Sequence, residues 1–201
     1  RTHEDGWGVR HRIGASGWYD QWVDGPLTKA ETIADVEACP LPSADNILAP
    51  DNYAERIADM KKAGKFVSGD IPNPYKTAWM LRGMDNVLSD YLIDRELLEA
   101  LYDRLYGLYT EMAVRMVKAG VDMVTVTGDF AMQDRIIMGP DPWRAVDRPR
   151  MQALIDACRR ANPDILMFVH SDGNISELLP DLVDIGFDVI NPLQPEYLDP
   201  A

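Results

Sequence analysis

Two cysteines in 201 residues, Cys39 and Cys158, are far apart and form no CxxC pair. That excludes a disulfide scaffold and a cysteine-only metal knuckle, and it suits a reducing compartment. Basic residues are outnumbered, 20 against 33 acidic ones, for a net charge of −13. No run of Lys or Arg is present, so a nucleic-acid interface lacks the cations its phosphates require. No apolar stretch approaches the roughly 20 residues of a membrane span, and the longest, around Ile165–Val169, is strand-sized. No basic-then-apolar leader opens the sequence, and the expectation is a cytoplasmic protein without membrane or nucleic-acid partners. Neither GxGxxG nor GxxxxGK[ST] occurs, which removes the usual dinucleotide and P-loop cradles. No serine lies in a GxSxG elbow, and neither cysteine has a histidine beside it in the sequence to act as its base, so nucleophilic hydrolase readings find no support. The first residue is Arg1 and the chain stops just after a strand-like segment, which reads as an internal fragment.

What is present is 46% hydrophobic residues, enough for a buried core, arranged in a repeating order. Residues 1–50 read as an irregular or hairpin segment, rich in Gly, Trp and Tyr between Trp7 and Leu27. Residues 51–201 read as β/α units, so that 1–201 forms one partial barrel domain. A helix is predicted over Asn52–Ala63, with Tyr53, Ile57 and Met60 on one stripe, followed by a strand over Phe66–Gly69. Ile71-Pro72-Asn73-Pro74 reads as a turn, and Trp79–Leu92 as a helix. Asp94 is the expected N-cap of a long helix reaching Lys118, with Leu97, Leu101, Leu105, Leu108 and Met112 as its apolar stripe. Strands follow over Asp122–Thr127, Ile165–His170 and Asp188–Asn191, separated by helices from Asp141 and over Ile175–Ile185. Continuous apolar strands alternating with helices call for a parallel sheet covered on both faces. Four strands fit half of a (β/α)8 barrel, whose complete form needs about 250 residues, better than an open sheet without its phosphate loop.

Function in such sheets concentrates just past the carboxyl ends of the strands. Those positions carry Asp70, then Asp129, then His170, Asp172 and Asn174, then Asn191 and Gln194. His170 and Asp172, two residues apart, can act as acid and base or contribute to a zinc shell. They can equally form an Asx-type turn closed by Gly173. Gln133 and Arg135 stand in the loop after Asp129; Arg135 either holds a substrate carboxylate or neutralises Asp134. His3 and His11 read as surface residues.

Three stretches together resemble the uroporphyrinogen decarboxylase (URO-D) superfamily, which includes cobalamin-dependent methyltransferases. They are Gly69 through Gly83, Lys118 through Asp129 to Pro140, and His170 through Pro195, with Asp5-Gly6-Trp7-Gly8-Val9 as a further likeness to the methyltransferase-like branch. The resemblance implies a TIM barrel lacking its beginning and end, and an enzyme of either lyase or methyltransferase type. For a decarboxylase of porphyrin biosynthesis type it implies carboxy-lyase chemistry on a carboxylated small molecule without a cofactor. Asp129, His170 and Asp172 would then be catalytic, and Asp70, Trp79, Gln133, Arg135, Asn174, Asn191 and Gln194 substrate-binding. Trp79 stands where the decarboxylases carry a tyrosine, and Asp129 where the family has a serine. For a methyltransferase the resemblance implies zinc, with His170 and Asp172 as ligands, and a corrinoid protein as partner. There the family pattern is HxCG, with Asp172 in place of the cysteine. A non-catalytic binding fragment and a homodimer are further expectations. The isolated chain is expected to be inactive as a decarboxylase.

Overall fold

The computed structural model describes residues 1–15, 17, 19–48 and 52–197. Ser16 and Trp18 of the expected ribbon, and the last four residues, lie outside the described residues. In chain order the elements are β1 (Thr2–Glu4), β2 (Arg10–Ile13), β3 (Asp20–Asp24), α1 (Ile33–Ala38), α2 (Ala44–Ile47) and α3 (Tyr53–Lys62). Then come β4 (Ser68–Pro72), α4 (Pro74–Arg82), α5 (Met84–Ile93) and α6 (Arg95–Ala119). The chain continues with β5 (Met123–Thr127), α7 (Pro140–Ala161), β6 (Leu166–His170), a 3₁₀ turn (Ser176–Leu178), α8 (Leu179–Asp184) and β7 (Val189–Asn191). No helix among the described residues is long and apolar enough to cross a membrane.

The chain divides into two compact units, residues 1–43 with 74–105 and residues 44–73 with 106–201. The first holds an antiparallel three-stranded ribbon in the order β1-β2-β3. The ribbon's side chains are largely exposed, and the unit's core is built from Val9, Leu27, Val36, Ala78, Leu81, Val87 and Leu98. Thr32 caps α1 through a reciprocal bond with Asp35, the pattern of a capping box. Gly83, at φ 89°, separates α4 from α5 where the sequence predicts one helix. A side chain at that backbone angle is strained, so the break is local chemistry rather than packing. Arg82 fixes the same corner: its guanidinium binds both carboxylate oxygens of Asp90 and the carbonyls of Leu27 (3.2 Å) and Ala30 (2.8 Å).

The second unit is a parallel sheet in the order β4-β5-β6-β7. Helical crossovers return each strand in the same direction, as the length of the connections requires. Val124, Val126, Met167 and Val169 are fully buried, as are Leu154, Ile155 and Cys158 of α7. Gly69 lies where a Cβ would come within 2.5 Å of Met116 Sδ, so glycine is what lets β4 approach α6. Four terminal residues share one rung: Pro72 pairs with Thr127, Thr127 with His170, and His170 with Asn191. The ladder continues one step into the loops, with Asn73 N–H donating to Thr127 O (2.7 Å), Gly128 to His170 O (3.2 Å) and Ser171 to Asn191 O (3.0 Å).

Two sequence expectations change here. β4 begins at Ser68 rather than Phe66, because Phe66 is 61% exposed and burial starts at Val67. The Ile71-Pro72 pair therefore ends the strand instead of turning, and Pro74 opens α4, a position where its missing N–H costs nothing.

Candidate active site

The common rung sets the height of the site. Side chains at equal register on parallel strands stand on the same face, and residues two further on return to it. Thr127, His170 and Asn191 share the rung, and Asp129 and Asp172 follow two residues beyond their strands. Asp129, His170 and Asp172 converge so that one donor atom of each lies within 4.8 Å of the others.

His170 is held from one side. Its Nδ1 lies 2.9 Å from Asn191 Oδ1, an acceptor, so Nδ1 carries the proton and Nε2 presents its lone pair. Nε2 is 3.9 Å from Asp129 Oδ1, beyond hydrogen-bond length and close enough for one intervening atom to bridge them. The same Asp129 oxygen accepts the backbone N–H of Asp172 at 2.9 Å, which locks the two loops together. Asp129 and Asp172 are exposed and His170 is half-buried, so these groups open to solvent.

The loop after β6 is shaped by partners that are not themselves in the trio. Gly173, at φ 91°, donates its N–H to Gln194 Oε1 (2.7 Å), and a Cβ there would sit 2.5 Å from Met132 O. Asn174 Oδ1 accepts from Ser176 N–H (3.1 Å) and Oγ (2.6 Å), an Asx turn that starts the 3₁₀ turn. Asn191 and Gln194 thus act on the site by orienting His170 and the Gly173 loop. The Asx turn in the His170–Asn174 stretch is made by Asn174 rather than Asp172, with Gly173 supplying the positive φ, and the His170 and Asp172 side chains are left facing the opening.

Asp70 lies inside β4, not past its end, two register positions below the rung, where it accepts from Thr127 Oγ1 at 3.3 Å. The reason is that the strand ends at Pro72 rather than Gly69. Gln133 and Arg135 are exposed at the tip between Ala131 and Ile136, and the Arg135 Nε donates to Asp134 at 3.0 Å. That pairing holds the Asp134 carboxyl below its ordinary range. Trp79 is half-buried on α4 of the first unit. Ser171 is a residue that sequence reasoning passed over: it is 1% exposed, and its Oγ accepts Phe130 N–H (3.1 Å) while donating to Asp172 O (3.0 Å). Its position between two outward-facing residues at a strand end is the signal for an inward anchor.

The profile of the uroporphyrinogen decarboxylase (URO-D) family matches residues 23–192. The chain belongs to the uroporphyrinogen decarboxylase family. Among solved structures, a methyltransferase from Methanosarcina mazei is similar in fold, with a TM-score of 0.68 at 22% identity. The match covers 92% of this chain and 52% of that one, so the chain spans about half the length of its structural relative. No curated protein matches the chain in sequence. The fold is a partial TIM barrel of the URO-D type, with four parallel strands among the described residues.

The zinc that the methyltransferase branch implies was expected at His170 and Asp172. The donors gathered here are two carboxylate oxygens and one imidazole nitrogen, with no sulfur among them. Cys158 is fully buried on α7, and burial pushes its thiol up to about 11, so it keeps its proton. Cys39 belongs to the first unit, and burial raises its thiol as well. This set does not fit a zinc that works through thiolate ligands.

Proposed function

We propose that the chain carries the strand-end part of the active site of an enzyme that removes a carboxylate from a small carboxylated molecule by proton transfer, without a bound cofactor. The observation that carries this reading is the His170 imidazole, pinned at Nδ1 by Asn191 and open at Nε2 toward Asp129. Breaking the bond to the departing carboxylate releases CO2 and leaves its electron pair on the substrate carbon. His170, in its protonated form, donates the Nε2 proton to that carbon and returns to the neutral tautomer that Asn191 favours. Asp129, 3.9 Å away, stabilises the imidazolium before transfer, and its bond to the Asp172 amide keeps it in place. Asp172 lines the same opening, and Arg135 meets the substrate carboxylate by exchanging Asp134 for it.

Methyl transfer to or from a corrinoid protein is the second reading. One observation favours it: the solved structure of similar fold is named a methyltransferase. Its zinc chemistry lacks the sulfur ligand in this chain, and the first reading is preferred for that reason.

The test is CO2 release from a panel of carboxylated substrates, uroporphyrinogen included, by the full-length enzyme in D2O. Deuterium on the carbon that lost CO2 is the expected result. Corrinoid methylation in place of CO2 release overturns the reading.

A further inference from the structure

We infer that this strand end does not fit a thiolate-bound zinc because residue 172 offers a carboxylate oxygen, and that Asp172→Cys supplies the sulfur that is missing. The argument is one of donor chemistry. His170 Nε2 is free and correctly oriented for a metal, because Asn191 occupies Nδ1 in the way that second partners fix ligating histidines. What stands beside it is a hard carboxylate oxygen at 172 and a second carboxylate at 129, both exposed. One oxygen of Asp129 already accepts the Asp172 amide, so part of its capacity is committed to holding the loop. Oxygen donors suit manganese or magnesium and give no preference for thiophilic ions, whereas thiolate selects zinc and cadmium.

The backbone at 172 does not depend on its side chain. The residue is fixed by its own N–H to Asp129 and by its carbonyl, which accepts from Ser171 Oγ. A cysteine there leaves both bonds intact and places a sulfur two residues after His170. The position is exposed, so the thiol ionises without the burial penalty that silences Cys158. The strand end thus offers an oriented nitrogen and lacks the sulfur.

The experiment compares the 201-residue chain with its Asp172→Cys and Asp172→Asn variants, using Zn2+, Cd2+ and Mn2+ as probes. Zinc affinity is read by competition with a chromophoric chelator, and cadmium–sulfur bonding by its ultraviolet charge-transfer band. The original chain is expected to show no cadmium–sulfur band, because it has no thiolate beside His170. Asp172→Cys is expected to gain the band and to tighten zinc by about tenfold or more, while Asp172→Asn gains neither. Stoichiometric zinc that survives dialysis against chelator in the original chain overturns the inference. So does an Asp172→Cys variant that keeps the parent's circular dichroism and gains no band. The result is independent of CO2 release, so failure of the lyase reading and failure of this inference are separately visible.

Discussion

Arg82 with Asp90 in the first unit, and Asp129 with His170 and Asp172 in the second, are both clusters of charge, and they are built in opposite ways. The first pair is 8% and 5% exposed, is bidentate, and spends a further guanidinium nitrogen on two carbonyls. In the second cluster the Asp129 side chain is 52% exposed and the His170 side chain 34%, and the nearest opposite groups stop at 3.9 Å. A buried charge must be fully paired, because an uncompensated one costs several kcal/mol. An exposed group tolerates an empty valence, which is what a reacting atom needs. The difference separates charge that holds the chain together from charge left open to solvent.

The strongest way to break the comparison is to remove one member of the buried pair. Asp90→Ala should cost about 3–5 kcal/mol in urea unfolding, because Arg82 is left buried without its partner. Losing less than about 1 kcal/mol would show that the pair is not structural.

Gly173→Ala comes next. The backbone angle and the 2.5 Å approach to Met132 O together should cost about 2–4 kcal/mol, read as a lower melting temperature. The loop holding Asp172 should move with it.

His170→Ala should then lower turnover by roughly 10²–10⁴ while costing little stability, the reverse of the Asp90 result. Turnover and melting temperature measured on one preparation of the full-length enzyme decide this. A large fall in melting temperature with normal activity per folded molecule would make His170 structural. Asn191→Ala sharpens the same point: nitrogen NMR shifts of the imidazole should show mixed tautomers where the parent shows the proton on Nδ1.

The smallest effect is expected at Asp122, a half-buried carboxylate that accepts from Lys61 Nζ (2.7 Å) and Val67 N–H (2.9 Å). The Lys61 bond first, then the Val67 amide, holds its carboxyl below the ordinary value. A lowered carboxyl favours the folded state at neutral pH, and that contribution fades as pH falls below the unfolded value and through the folded one. Lys61→Met should therefore cost under about 1 kcal/mol at pH 7, and less as the pH falls, by urea unfolding followed downward from pH 7.

The parallel sheet was legible because β5 and β6 are rich in apolar and β-branched residues and helix-sized intervals separate the strands, whereas β4, Ser68–Pro72, has Ile71 as its one large apolar residue. Asp94 was readable as the start of α6, and of the expected stripe Leu97, Leu101, Leu105 and Met112 are buried as the helical spacing requires, while Leu108 is half-buried. The burial of Leu98, Tyr102 and Tyr109 was not readable, since a helix enclosed on more than one side loses the contrast between its faces. The edge of β4 was misplaced because Phe66 has the composition of a strand residue and the exposure of a loop residue. Of the site, His170, Asp129 and Asp172 were legible from their positions past strand ends. Ser171 was hidden because a buried serine and a surface serine are the same letter.

The sequence by itself determined the order of elements, the parallel arrangement, the family and the absence of a sulfur beside His170. All of these are properties of local pattern or residue type. Only the tertiary structure decided the register that puts Thr127, His170 and Asn191 on one rung, and with it which nitrogen of His170 is free. Register follows from hydrogen bonds between strands some twenty to forty residues apart in the chain. No local pattern encodes a contact of that range.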